Sequence, residues 1–265
     1  MGKKSCVFCG KSSDEVKITK EHVLPRWLKK VVQQGKWNGY VSTFMEEDPV
    51  SRSIHGQTIF DNTISVVCGG CNNGWMSIDL EVPVSNFLPS LIFGQPITLG
   101  REELDVLSLW AAKTAFMRML QDGDSVLPAS YYKSLSNLQL PSSVSVLLGA
   151  RESIGNQAVQ TRAFRLKDIM GGHAFACGIE IHSLLLIITS FTTLYSGIYD
   201  KQTRFNSSLP IKMIPISNKD IQEITTPLTT QTHLSINDVI EPPIQLIFPI
   251  FKSNKVNVGH INKGR

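Results

Sequence analysis

An α+β protein in two parts is what this sequence predicts, and three observations predict it. Two Cys-x-x-Cys pairs fall in the first third of the chain, one long segment has apolar residues at helical spacing, and a succession of β-branched and apolar runs follows that segment. Residues 1–82 read as a small metal-stapled module. Residues 83–265 read as an α+β domain with a mainly antiparallel sheet. The composition changes near residue 80: the stretch before it holds four of the 5 cysteines and three of the 4 tryptophans. With its many polar turn residues, that stretch looks like a small metal-stapled module that lacks enough apolar surface to fold alone.

In chain order, the first pair is Cys6 and Cys9 and the second is Cys68 and Cys71. Two residues between ligands let a tight knuckle turn both sulfurs toward one ion, so the four thiolates complete a tetrahedral zinc sphere. A closed sphere is structural, and any chemistry must come from the polar residues it holds together. Val16 to Thr19 reads as a short strand leading to Glu21 and His22, Pro25 breaks the backbone, and Arg26 to Lys30 starts a helix. Thr63 to Val67 is a β-branched strand, and Asn72 opens a helix running to Leu80. Pro83 to Pro96 reads as a connector or loose crossing. The segment from Arg101 to Leu120 is a core helix with acidic residues in its first turn, and its Lys113 reads as a side chain snorkelling past the apolar stripe. A short helix from Tyr131 to Leu138 precedes strands at Val144–Ala150, Gln157–Leu166, Ala174–Ile181 and Ser183–Tyr195. The last sixty residues carry no assignable pattern.

The net charge of +4 permits a polyanionic partner without requiring one. Cys177 alone is left over from the two pairs, which suits a metal site in a reducing compartment better than a disulfide framework, and it reads as a buried small hydrophobe. Met1 to Ser5 leaves no room for a secretory leader before Cys6. The most apolar stretch, Leu184 to Leu194, is too short and too hydroxylated to span a bilayer. The expectation is a cytoplasmic protein with no membrane partner.

The nearest candidates for chemistry are Glu21, His22 and Asn72, which the zinc would bring into one unit. Lys20, Arg26, Lys29, Lys30, Lys36 and Arg52 are candidates for a phosphate-contacting face or a merely solvated one, and Glu46-Glu47-Asp48 interrupts them. His55 is a candidate extra ligand. Trp75 reads as packing on the knuckle, and His173, His182, His233 and His260 as structural.

With Cys6-x-x-Cys9, Glu21-His22-x-x-Pro25, and Cys68-x-x-Cys71-Asn72 followed by Gly74-Trp75-Met76, roughly the first 80 residues resemble the HNH (His-Me finger, ββα-metal) endonucleases in their four-cysteine, treble-clef-like version. The resemblance implies that His22 is the general base and that Glu21 and Asn72 hold a catalytic divalent cation, Mg²⁺ or Mn²⁺. It assigns Cys6, Cys9, Cys68 and Cys71 to structural Zn²⁺. The family more often has Asp before the histidine and often His at the place of Asn72; Glu and Asn are compatible hard-oxygen donors. For the family's middle Asn, Asn62 stands one residue from the usual offset before Cys68, where Thr63 is found. Val31 to Phe60 looks like an insertion.

The activity so implied is hydrolysis of DNA phosphodiester bonds, in a setting such as bacterial defence against foreign DNA. One cation and one base serve one strand, so the expectation is either a homodimer that cuts both strands or a nicking enzyme. The second part is left for targeting, dimerisation or activation by a regulatory protein or small molecule. A reading from another class stays open: a non-catalytic, zinc-stabilised module that binds nucleic acid or protein.

Overall fold

The computed structural model describes residues 3–32, 39–44, 50–121, 127–152, 159–167, 172–192, 198–226, 228 and 231–247. β1 (Ile18–His22), α1 (Leu28–Val31) and the hairpin of β2 (Gly39–Phe44) with β3 (Val50–His55) precede β4 (Thr63–Cys68). β1 pairs antiparallel with β4, from Ile18 opposite Cys68 to His22 opposite Thr63, with a shift of register between Thr19 and Glu21. One helical turn, α2 (Gly69–Cys71), leads into a more widely wound helical run, Asn72–Glu81, interrupted at Gly74.

Residues 83–96 are not the loose crossing that their prolines suggest. They form most of α3 (Val82–Ser85) and α4 (Leu88–Ile92), which bury Val84, Leu88, Leu91 and Ile92. Pro83 and Pro89 each stand in the first turn, where the missing N–H is one that a helix leaves unpaired anyway. β5 (Ile97–Gly100) then runs into α5 (Arg101–Gln121), whose start is capped by Glu103 Oε2 accepting from Gly100 N at 3.0 Å. α5 is buried on nearly every side, with Leu104, Leu107, Trp110, Phe116 and Met117 all inaccessible. A helix that apolar around its girth belongs inside a protein.

After α6 (Ala129–Ser136) come β6 (Ser145–Arg151), β7 (Val159–Lys167), β8 (His173–Ile181) and β9 (Leu184–Phe191). Then follow α7 (Ile198–Ser208), β10 (Glu223–Thr226), β11 (Gln231–Thr232) and α8 (Ile236–Ile247), in the stretch where the sequence showed no pattern. The central sheet has the order β11-β6-β9-β8-β7, antiparallel except for the short β11–β6 pair. β10 pairs antiparallel with β5. The mixed α+β class and the mainly antiparallel sheet are as expected.

β9 shows why its sequence is apolar without alternating. Leu184, Leu186 and Ile188 face the core that contains α5, while Leu185 and Ile187 face a second core with Phe205, Ile236, Val239 and Ile240. Both faces are covered, so period 2 is still present in space but no longer visible as polarity. Among the described residues, no helix is long and apolar enough to cross a membrane.

Buried contacts run across residue 82 without a break. The cluster that contains Cys6, Phe8 and Met76 also contains Trp110, Phe116 and Tyr132. Phe8 makes edge contacts with Trp75 at 5.2 Å and with Tyr132 at 5.6 Å between ring centroids.

Candidate metal centre and neighbouring polar residues

The four cysteines converge because two knuckles are tied to the same strand. In the first, Gly10 adopts φ 77°, a left-handed turn that suits glycine, and its N–H donates to Cys6 O at 2.8 Å. Val7 N donates to Val66 O at 2.9 Å, which fastens that knuckle to β4. In the second, the turn Gly69–Cys71 brings Cys71 N to 3.4 Å from Cys68 Sγ. All four Sγ atoms lie within 4.8 Å of one another, and Cys9 Sγ is 3.7 Å from Cys68 Sγ. Tetrahedral coordination at a Zn–S distance of about 2.3 Å places sulfurs about 3.8 Å apart, so the arrangement fits a four-coordinate ion.

The electrostatics ask for such an ion. Burial opposes ionisation of Cys6, yet backbone N–H groups in and beside the knuckles lower its thiol to about 7. Burial and the neighbouring sulfurs push Cys71 and Cys9 the other way. Four thiols this close cannot all become thiolates unless a cation offsets their repulsion.

His22 ends β1 and is half-buried; the next residues, Val23 and Leu24, are buried and turn the chain at Pro25. Asn62, the candidate middle residue, accepts at its backbone O from Val23 N at 3.0 Å, just beyond His22. Asp61 caps the turn before it, accepting from Thr58 N at 2.7 Å and Thr58 Oγ1 at 2.8 Å, and holds Lys29 of α1 at 3.1 Å. Asn72 donates both amide protons to β1, from Nδ2 to Thr19 Oγ1 at 3.2 Å and to Lys20 O at 3.3 Å. Its Oδ1 is thereby the atom left to accept or to ligate. The structure therefore joins Asn72 to β1 at Thr19 and Lys20.

Glu21 is placed differently. Successive strand residues point to opposite faces, and Glu21 takes the buried one. Its Oε1 accepts from Lys113 Nζ at 2.9 Å, and the same Nζ reaches Glu81 Oε1 at 2.9 Å. Lys113 does not snorkel: its side chain is 0% exposed. Burial would lower its pKa, but the two carboxylates outweigh burial and hold it above the ordinary value. Of the two residues expected to hold a hard cation, Asn72 is bonded to β1 through its amide N–H groups, and the Glu21 carboxylate is buried against an ammonium. Glu81 is not among the candidates from sequence, and Lys113 reads there as snorkelling or as a phosphate contact, not as the partner of two carboxylates. The available signal was a lysine in the middle of an apolar helix, which needs a partner once it is buried.

Lys17, Lys20, Arg26 and Lys30, on β1 and α1 and beside them, are exposed. His55 is exposed at the end of β3 and joins no metal-competent cluster among the described residues. His173 and His182 are buried, His233 pairs with Glu152 at 3.2 Å, and Cys177 is fully buried. Lys36, Glu46 to Asp48 and His260 lie outside the described residues. No protein-family model, curated protein or solved structure matches the chain.

Proposed function

We propose that the chain is a metal-dependent endonuclease that hydrolyses DNA phosphodiester bonds, with His22 as general base. The observation that carries the reading is the pairing of β1 with β4 beside a four-cysteine cluster, with His22 at the strand end and Asn72 bonded back onto the same strand. In the proposed reaction the neutral His22 imidazole accepts the proton of the water that attacks phosphorus, and the 3′ oxygen departs. A divalent cation against Asn72 Oδ1 would supply charge neutralisation on the phosphorane and leaving group. The cysteines hold the frame. Lys20, Arg26 and Lys30 are exposed, stand within eight residues of His22 in the sequence, and would take up flanking phosphates.

One observation favours the second reading, a zinc-stabilised binding module: Glu21 is withdrawn into its ion pair, which leaves Asn72 as the lone expected cation ligand. A plasmid-nicking assay separates the two. Purified protein given Mg²⁺ or Mn²⁺ should nick supercoiled DNA and should stop when the added cation is omitted. Binding to DNA without nicking under either cation would favour the module. Targeting, dimerisation and activation by the remainder of the chain belong to the same proposal, as does a role in defence against foreign DNA.

A further inference from the structure

Lys113 joins three elements at one atom. Glu21 stands on β1 directly before His22, Glu81 ends the helical run that Asn72 begins, and Lys113 lies in the middle of α5. Both carboxylates sit 2.9 Å from Nζ, and neither Lys113 nor Glu21 is more than 6% exposed at its side chain. An ammonium is a compact head with three donors, so one Nζ can serve two carboxylates only where their chains are held at a set separation. Burying such charges is a poor way to add stability, since packed apolar residues of similar volume often do as well or better. What a buried triad can add is one defined placement of the elements it joins.

We infer that Lys113 is a positioning residue for His22 and Asn72. By holding Glu21 and Glu81 together, it sets where the strand that carries the imidazole lies against the helical segment that follows Asn72 and the kink at Gly74. The inference rests on the proposed role of His22. Lys113 touches no substrate; its ammonium is closed off by α5 and the two glutamates. Through it, a helix outside the first 82 residues would govern the geometry of a site within them.

The test compares wild type with Lys113→Met and with the double variant Lys113→Met/Glu21→Gln. The double variant removes both charges of the most buried pair and stays foldable if the single variant does not. Imidazole ¹H–¹⁵N spectra, with the His22 signal assigned by its loss in His22→Ala, report ring placement without reference to activity. The expected result is retained metal and secondary structure, displaced His22 ring resonances, and kcat lower by roughly 10- to 100-fold with KM nearly unchanged, as for a small misplacement of a reacting group. Unmoved His22 resonances together with wild-type kcat in a folded variant would overturn the inference and leave Lys113 a structural ion pair. If wild-type protein cuts no DNA, the proposed function fails, and the ring resonances alone decide whether the clamp exists.

Discussion

Cys9 Sγ stands 3.7 Å from Cys68 Sγ across two knuckles that are 59 residues apart in sequence. That is the spacing of two thiolates on one tetrahedral ion. Freshly purified protein should therefore carry about one zinc per chain, measurable by elemental analysis. Cys68→Ser should lose that zinc. Because the cysteines share a buried cluster with Trp110 and Tyr132, the loss should lower the thermal midpoint of the whole chain. Two separate unfolding transitions, one of them indifferent to zinc, would contradict the shared core.

Lys113→Met should destabilise the protein, because it leaves the buried Glu21 carboxylate without its ammonium. Breaking a buried pair from one side costs about 3–5 kcal/mol. The sign of the pH dependence follows from the raised pKa of Lys113. Its contribution is present in full below the unfolded lysine value of 10.5 and is lost as pH rises through the higher folded value. Urea unfolding at neutral and strongly alkaline pH should show the wild-type advantage over Lys113→Met shrinking only in the alkaline range.

Asp61 behaves in the opposite sense. Burial opposes its ionisation, but the Thr58 N–H, the Thr58 hydroxyl and Lys29 together hold its carboxyl below the ordinary 3.8. The stability it contributes is present above that value and disappears as pH falls through the lower folded value. Asp61→Asn should thus be less stable than wild type at neutral pH, with the difference closing in acid below about 3.8. A difference independent of pH would show that the cap works without its charge.

Gly178 of β8 lies under α8, and a Cβ there would come within 2.4 Å of Ile236 Cγ1. Gly178→Ala should cost about 1–3 kcal/mol, the usual range for overpacking a core. Chemical denaturation measures it. A neutral result would mean that α8 can lift from the sheet without loss.

The strand, knuckle and helix order around Cys68 was legible because each signal is local: a β-branched run, a two-residue ligand spacing, a polar residue at a helix start. α5 was legible from its acidic first turn and apolar spacing. β8 and β9 were legible as apolar runs short enough to be buried strands. The short helices α3 and α4 were hidden because proline marks a helix start as readily as it marks a loop. α8 was hidden by Pro242 and Pro243 in its interior. The pairing of Glu21 with Lys113 joins residues 92 apart, and no periodicity records such a contact. The same pairing turns the Glu21 carboxylate into the protein, which its position beside His22 did not reveal.

In the proposed reaction His22 removes the proton from the attacking water. The most direct measurement is plasmid cleavage by wild type and His22→Ala, prepared identically and matched for bound zinc, in Mg²⁺ or Mn²⁺ across a pH series. The expected result is a loss of about 10²- to 10⁴-fold, the range for a missing general base, with DNA binding retained. Cleavage by His22→Ala at the wild-type rate, in preparations free of contaminating nuclease, would contradict it.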